Sequence, residues 1–321
     1  MRCLSSRDRR CAKRQKLSVD APPKSLKFAA LRDAKKAQGQ SSRGETRARK
    51  KIKFRIKMQI KLNGKAYETG ASDLEGLKRE VKFSGEIAVI NGYASTQNCE
   101  LKAGDELFLL TRGADLAPQE LRELMLARNA PSVNEALQGS RVAICGLGGL
   151  GSNVAILLAR AGVGELFLID FDVVEPTNLN RQQYEIGDLY KPKTAALSEK
   201  IARINPFVRV RTLNERLTAQ NVAEILKNER IICECFDDAA AKAMIFGAFG
   251  GTDSFLICAS GMAGSGDANE IRTTRLGKNV FVCGDRKSAA AQGVGLLAPR
   301  VAICAAHQAN VALRLILGEE G

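Results

Sequence analysis

Residues 146–184, GLGGLGSNVAILLARAGVGELFLIDFDVVEPTNLNRQQY, carry the strongest structural signal in this 321-residue chain. The apolar run 141–145 before them indicates a buried strand, residues 152–160 a helix and residues 166–169 a second strand. The glycines between the first strand and the helix let a backbone approach a phosphate, which the partial positive charge of a helix N-terminus favours. The stretch therefore predicts a nucleotide-binding α/β unit.

Strands and helices continue to alternate beyond this unit. We expect helices at 194–204, 219–226 and 239–246, and strands at 208–213, 231–235 and 255–259. This order predicts a doubly wound, mostly parallel α/β sheet with right-handed crossovers. After Gly261 the pattern predicts an antiparallel extension at 271–276 and 280–283, then a loop and a last helix at 300–317.

A smaller unit precedes this domain, at residues 58–113. Strand-like segments at 58–62 and 65–69 flank Asn63-Gly64, and a further strand at 87–90 precedes Asn91-Gly92. An Asn-Gly pair between strands is a strong hairpin signal. With a helix at 73–81 and a strand at 107–110, the order ββαββ favours an α+β, ubiquitin-like β-grasp domain over a generic small module. We place a connector helix in 114–139, at 118–128, and the main domain at 140–321.

The positive charge of the chain is concentrated at its start. Residues 1–57 hold 20 Lys and Arg against 4 Asp and Glu, whereas the remainder holds 29 against 31. Low apolar content predicts that 1–57 form a basic disordered tail. It is either a nucleic-acid arm, a transit peptide or sequence upstream of the true start at Met58, and we favour the last. Apart from this tail, no nucleic-acid partner is expected.

The cysteines and the hydropathy indicate a reducing compartment. Nine cysteines are scattered along the chain, and an odd number in a protein of this length suggests free thiols. The N-terminal residues lack the continuous apolar segment of a secretory signal. The sequence also has no run of about 18 apolar residues, which a membrane span would need. We therefore expect a cytoplasmic protein. Cys233 and Cys235 form the one close pair in the folded part, and two thiolates do not make a tetrahedral site, so no zinc is predicted.

The charged residues beyond the glycine loop point to ATP. Asp170 lies 19 residues after Gly151, where a carboxylate binds ribose hydroxyls, and this alone fits an NAD-dependent oxidoreductase equally well. Arg181 and Lys193 follow, and a triphosphate needs such cations whereas hydride transfer does not. A later carboxylate in Asp237-Asp238 suits Mg²⁺. Surface charges and a helix cap are the structural alternatives.

Residues 146–184 strongly resemble the ThiF/MoeB/HesA group of the ubiquitin-activating superfamily, and the resemblance covers about 114–321. ASGMAG (259–264) and LAPRVAICAAHQANVALRLILGE (297–319) are similar to its thiamine-pathway branch, and MQIKLNG, IAVING and AGDELFLL make 58–113 resemble the carrier ThiS. The resemblance implies a Rossmann-like fold and a homodimer. It also implies ATP- and Mg²⁺-dependent adenylation of the C-terminal glycine of a ThiS-type ubiquitin-like sulfur carrier protein.

The resemblance also assigns roles. Asp170 binds ribose, Asp172, Asn178 and Arg181 lie along the triphosphate, Lys193 contacts phosphate and Asp237 binds Mg²⁺. Arg181, Lys193 and Asp237 are the catalytic candidates, and Arg128 is the candidate for an arginine given to the partner subunit. The full expected nucleotide-binding set is Gly146, Gly148, Gly149, Gly151, Asp170, Asp172, Thr177, Asn178, Leu179, Asn180, Arg181, Gln182, Lys193, Asp237 and Asp238.

The chain departs from the family pattern in three places. Many relatives have two CxxC pairs that bind structural zinc, and this sequence has none. Some relatives have a cysteine before the last helix that joins the carrier, but residues 289–293 have none, and nearby Cys283 reads better as a packed thiol. The single histidine, His307, is expected to cap or pack. The carrier-like module continues past Gly113, so it has no free C-terminus to adenylate. A tRNA threonylcarbamoyladenosine dehydratase and a non-catalytic carrier-binding scaffold stay open as alternative functions.

Overall fold

The structure is a computed structural model that describes residues 57–113 and 115–319. The predicted basic tail therefore lies, except for Lys57, outside the described residues. The N-terminal part forms β1 (Met58–Leu62), β2 (Lys65–Thr69), α1 (Leu74–Glu80), β3 (Ile87–Ile90), β4 (Tyr93–Ser95) and β5 (Glu106–Leu110).

The two Asn-Gly pairs make the hairpin turns of this module. Asn63 and Gly64 both have positive φ, as do Asn91 and Gly92, which is the geometry of a tight turn that matches strand twist. The sheet order is β2-β1-β5-β3-β4, with β1 and β5 parallel. Helix α1 covers one face, with Leu74 and Leu77 fully buried. The predicted ubiquitin-like α+β layout is confirmed. The three-residue strand β4 was missed.

The connector holds two helices, α2 (Pro118–Leu126) and α3 (Pro131–Gln138), where we expected one. Proline is favoured in a first helical turn because its missing N–H would have no partner there, so Pro131 starts a new helix. Leu124 and Ala127 pack on Val89 and Phe108, on the module face opposite α1. Arg122 of α2 donates to Gln138, and Leu126 lies against Gly162 of the main domain. Helix α2 thus lies between the module and the main domain.

The main domain is doubly wound, as predicted. Its elements are β6 (Arg141–Cys145), α4 (Gly149–Ala161), β7 (Glu165–Ile169), α5 (Lys193–Ile204), β8 (Arg209–Leu213), α6 (Val222–Leu226), β9 (Ile231–Glu234), α7 (Ala239–Phe249), β10 (Phe255–Ala259), β11 (Arg272–Leu276), β12 (Val280–Gly284) and α8 (Ala298–Ile316). The strand order is β11-β12-β10-β9-β6-β7-β8. Strand β11 is antiparallel to β12, but β12 itself is parallel to β10.

Two hydrophobic layers enclose this sheet. The larger contains side chains of α4, α5 and α8, and the smaller contains side chains of α6 and α7. Strand β6 has β7 on one side and β9 on the other, so the chain reverses direction across the sheet there. Such a reversal opens a crevice at the carboxyl ends of the strands. Within the described ranges, no helix is long and apolar enough to span a membrane.

Candidate functional site

A cavity of about 710 Å³ occupies this crevice. The glycine loop between β6 and α4 forms its floor, the ends of β7 and β8 form one side, and the ends of β9 and β10 form the other. The cavity brings most of the expected nucleotide-binding residues together. Those that line it are Gly146, Gly148, Gly149, Asp170, Asp172, Asn178, Arg181, Gln182, Lys193, Asp237 and Asp238.

Glycine stands at each of these loop positions for a different physical reason. Gly146 has φ +90°, and a Cβ on Gly151 would lie 1.8 Å from the Gly146 carbonyl oxygen, so packing alone requires both. Gly148 has an ordinary φ of −73°, and a Cβ there would meet nothing closer than 3.8 Å. There is room for a side chain at 148, but the Gly148 ψ of −147° lies outside the regions that residues with a Cβ normally occupy. The missing side chain of Gly148 leaves room at the N-terminus of α4, where an anion is favoured.

Asp170 ties the glycine loop to the end of β7. Its Oδ2 accepts from the Leu147 amide at 2.6 Å, and its Oδ1 accepts from the Asp172 amide at 2.8 Å. Each carboxylate oxygen has a second lone pair, so both can still accept from a ligand hydroxyl. The side chain is buried but lines the cavity, which fits a carboxylate held rigidly for a ribose.

Lys193 is a buried cation at an unusual place. It begins α5, where the helix dipole disfavours positive charge, and its side chain is only 7% exposed. Its Nζ lies 3.0 Å from Asp172 Oδ2, and its amide donates to the Asp172 carbonyl. A cation kept buried against the dipole is costly unless it has anionic partners. Asp172 provides one, and the cavity can admit another.

Arg181 and Gln182 line the cavity, and each has one buried polar atom without a hydrogen-bond partner. Among the described residues, three buried side-chain nitrogen or oxygen atoms lack a hydrogen-bond partner, and Arg181 Nε and Gln182 Oε1 are two of them. The Arg181 Nη1 donates to the Thr177 carbonyl at 3.1 Å and to Asn180 Oδ1 at 2.9 Å. Buried groups without partners are destabilising, so a polar ligand that reached these two atoms would satisfy them.

The two adjacent aspartates differ in role. Asp238 caps α7 by accepting from the Ala241 amide at 2.7 Å, as one structural alternative anticipated. Asp237 is exposed and lines the cavity. The described part of the chain holds no group of three His, Cys, Asp or Glu residues suited to a metal. Mg²⁺ at Asp237 would therefore take its other ligands from phosphate and water, which is its usual habit.

Two family models match this chain. Residues 121–321 match the ThiF family, and residues 58–113 match the ThiS-like ubiquitin family. The chain belongs to the ThiF family.

Relatives of the ThiF domain include two enzymes of Escherichia coli K12. The molybdopterin-synthase adenylyltransferase is 28% identical over 214 residues, which are 64% of this chain and 86% of that protein. The sulfur carrier protein ThiS adenylyltransferase is 29% identical over 204 residues, which are 62% and 81%. The E. coli tRNA N6-threonylcarbamoyladenosine dehydratase in complex with ATP has the same fold, with a TM-score of 0.58 at 20% identity, over 64% of this chain and 98% of that one.

Four expected nucleotide contacts of the ThiF domain do not line the cavity: Gly151, Thr177, Leu179 and Asn180. Gly151 serves the close packing of α4 on the loop, and Leu179 packs against the larger core. Thr177 and Asn180 hold the Arg181 guanidinium. Arg128 follows α2, is exposed and also lies outside the cavity lining.

Sequence reasoning missed two polar features of the cavity wall. Lys242 Nζ donates to both carboxylate oxygens of Glu234, at 2.9 and 3.2 Å, and to the Ala259 carbonyl at 2.9 Å, so it joins the ends of β9 and β10. The Arg216 guanidinium lies 3.8 Å from the centroid of the Phe171 ring. The charged Glu234 at the end of an apolar strand was the available signal for the first. The second pair is distant in sequence and had none.

The cysteines of the ThiF domain are packed thiols. Cys283 is fully buried, and burial raises its pKa to about 11 against the smaller opposing effect of a Thr273 contact. Cys235 lines the cavity, but burial raises its pKa well above its usual range, and its Sγ lies 3.7 Å from Gln308 Oε1. The thiolate is the nucleophilic form, so neither is poised to attack. His307 Nδ1 contacts Thr273 Oγ1 at 3.0 Å.

Proposed function

We propose that this chain uses ATP to adenylate the C-terminal glycine carboxylate of a separate ThiS-type ubiquitin-like sulfur carrier, with release of pyrophosphate, in the thiazole branch of thiamine synthesis. The observation that carries the proposal is the single cavity that gathers the glycine loop, the Asp170 carboxylate, the buried Lys193 and the unsatisfied Arg181 and Gln182 atoms. The E. coli relatives, both adenylyltransferases, support it.

Each wall of the cavity suits one part of ATP. Asp170 accepts from the ribose hydroxyls, with Phe171 and Arg216 beside it on the β7–β8 side. The space at Gly148 and the start of α4 receive phosphate. Arg181 and Lys193 neutralise phosphate charge. Asp237 would hold Mg²⁺, which would neutralise more of that charge.

The chemistry needs no general base. A glycine carboxylate is ionised at neutral pH, so its oxygen attacks the α-phosphorus directly. The bond from the α-phosphorus to the bridging oxygen breaks, and that oxygen leaves with pyrophosphate. Catalysis then comes from placing the two substrates and from stabilising the developing charge with Arg181 and Lys193.

The acceptor is a second protein, because the fused module continues through Gly113 into Asp115 and α2. The ThiS-like match of that module supports a ThiS-type acceptor, and the ThiS adenylyltransferase relative is consistent with it. A homodimer in which Arg128 serves the neighbouring site belongs to the same proposal.

ATP–pyrophosphate exchange tests this function. The full chain is assayed with a ThiS-type carrier ending in Gly-Gly, and the matched control is the same carrier without its last glycine. We expect exchange only with the intact carrier and Mg²⁺. No exchange with any carrier, together with ATP turnover on adding tRNA, would overturn the proposal and favour the dehydratase reaction, for which the basic residues 1–57 would suit tRNA phosphates.

A further inference from the structure

The cavity wall on the β10 side consists mainly of small side chains. Ala, Ser and Gly occupy 259–261, 263 and 288–290, with Met262 as the larger exception, and Leu296 lies beyond them. Asp170, the proposed ribose carboxylate, directly follows β7. Two strands lie between β7 and β10 in the sheet: β6, which leads into the phosphate loop, and β9. If the nucleoside lies over β7 and the phosphates over β6, the β10 side is left for the second substrate.

Two chain segments cross at this wall in a tightly specified way. The segment after β10 and the segment after β12 exchange backbone hydrogen bonds, from Asp285 to Gly261 and from Arg286 to Ser260. Both crossing points are glycines with positive φ. A Cβ on Gly261 would lie 2.0 Å from Asp285 Oδ1, and one on Gly284 would lie 1.8 Å from the Ser260 carbonyl oxygen. No other residue fits at either point without moving the wall.

Asp285 organises the second segment. Its Oδ1 accepts from the amides of Lys287 and Ser288, both at 2.8 Å, which folds the chain into a turn. Ser288 Oγ then accepts from the Ala263 amide at 3.1 Å, which ties the turn back to the first segment. One carboxylate thus sets where Ser288, Ala289 and Ala290 stand in the cavity wall.

Arg300 holds that carboxylate in place. It lies in the first turn of α8, with its side chain 5% exposed and that of Asp285 4% exposed. Its Nη2 donates to Asp285 Oδ2 at 2.5 Å, and its Nη1 donates to the Asp267 carbonyl at 3.1 Å. The Arg300 Nε is buried without a partner. A buried ion pair is weak evidence for stability, because desolvation offsets much of its attraction. Its geometric effect, a fixed Asp285, is the better explanation.

We propose that Arg300 is a positioning residue for the acyl substrate: by clamping Asp285 it fixes the small-residue wall against which the terminal glycines of the carrier lie. This inference rests on the proposed function and adds a specificity device to it. A tail without side chains needs a wall that stays close, since glycine makes few contacts of its own. Arg300 touches neither substrate, so its effect falls on carrier binding and leaves ATP binding unchanged.

The test uses four variants of the full chain. Arg300→Met removes the clamp, and Arg300→Lys keeps a charge but cannot reach both of its acceptors. Arg300→Met with Asp285→Asn removes both charges while leaving an oxygen to accept from Lys287 and Ser288. Arg314→Met makes the same change near the other end of α8 and is the matched control. Pyrophosphate exchange gives the KM for carrier and for ATP, and hydrogen exchange reports the amides of 284–291 and 146–152.

We expect Arg300→Met to raise the carrier KM at least about tenfold with the ATP KM unchanged, because the lost contact serves only one substrate. Faster hydrogen exchange should be confined to 284–291, Arg300→Lys should recover part of the carrier KM, and Arg314→Met should match the wild type. The double variant should regain folding stability, since no buried charge is left unpaired, but not the carrier KM.

Three results with Arg300→Met would overturn the proposal: an unchanged carrier KM, an equal rise in both KM values, or unchanged amide hydrogen exchange at 284–291. If the wild type shows no activity with any carrier, the proposed function fails first. Faster amide hydrogen exchange confined to 284–291 in Arg300→Met would then still support the effect of Arg300 on the wall. Unchanged hydrogen exchange there would show that Arg300 does not fix the wall either.

Discussion

Unsatisfied atoms are the most informative residue-level feature of the cavity. Arg181 is held by two neighbours that use one nitrogen of its guanidinium, while its Nε is buried without a partner. Under the proposed function, a guanidinium held in this way would stabilise charge on phosphate oxygen in the transition state.

Replacing Arg181 by alanine should therefore lower activity strongly and leave the fold intact. We expect kcat/KM for carrier-dependent pyrophosphate exchange to fall about 10²–10³-fold, the usual effect of losing one such donor. Arg160→Ala, at an exposed position on the last turn of α4, is the control that should keep full activity. Unchanged turnover in Arg181→Ala, with the same melting temperature, would remove the role assigned to it.

For Cys283 we predict an effect on the pH dependence of stability, whereas for Arg181 we predict an effect on activity. Burial raises the pKa of Cys283 from 9.0 to about 11, so the folded chain keeps the neutral thiol to a higher pH than the unfolded chain does. This stabilising contribution is complete below about pH 9 and is lost as the pH rises through about 11. Denaturant titrations should show the wild type losing about 2–3 kcal/mol relative to Cys283→Ala over that window. Parallel pH profiles would contradict the assignment.

At neutral pH the same substitution should not matter for catalysis. Cys283→Ala is expected to keep wild-type pyrophosphate exchange, because a buried neutral thiol is a poor nucleophile. Transfer of sulfur to the adenylated carrier would then need a donor other than this thiol. Loss of exchange in Cys283→Ala without loss of stability would show a role that the buried geometry does not explain.

At the scale of elements, α2 is the part on which the N-terminal module depends. The Asn63-Gly64 turn lies against Glu123, the Asn91-Gly92 turn lies against the Arg128 carbonyl, and Phe108 packs on Ala127. The module sheet is therefore covered on both faces, by α1 and by α2. An isolated sheet with an exposed apolar face would be less stable.

Phe108→Ala should destabilise the module by about 3–5 kcal/mol, the cost of truncating a buried aromatic side chain. Chemical denaturation, with hydrogen exchange to locate the loss in β3, β5 and α2, is the measurement. Tyr93→Ala truncates an aromatic side chain that is 80% exposed in the same sheet, and it should change stability little. Equal effects of the two substitutions would mean that α2 does not cover this face.

The sequence predicted the elements whose signals are local. The glycine loop, the two Asn-Gly turns and the start of α7 at Asp238 depend on residues within a few positions of each other. Strand β4 was missed because three residues are too few to show the alternation of a strand. Helix α3 was missed because Pro131 could mark the end of one helix as readily as the start of another. The Arg300–Asp285 and Lys242–Glu234 pairs depend on which strand ends become neighbours, which no local pattern contains.

For the whole molecule, the fused module raises the question of self-modification. Because residues 58–113 continue into the connector, the chain offers no terminal glycine carboxylate of its own at this point. Intact mass measurement after incubation with ATP and Mg²⁺ should show no AMP attached to the chain, whereas a separate Gly-Gly carrier in the same tube should be adenylated. AMP on residues 58–113 would contradict this arrangement.

The attachment of the module to α2 also has a consequence for competition. A partner joined by a short connection has an effective concentration on the order of millimolar at its binding surface. A free carrier of the same shape, present at micromolar concentration, would have to bind α2 about a thousand times more tightly to displace it. The structure shows the module packed on this surface of α2, so a free carrier at that concentration would be a weak competitor for it. An incoming carrier must approach the cavity by a surface that the resident module leaves open.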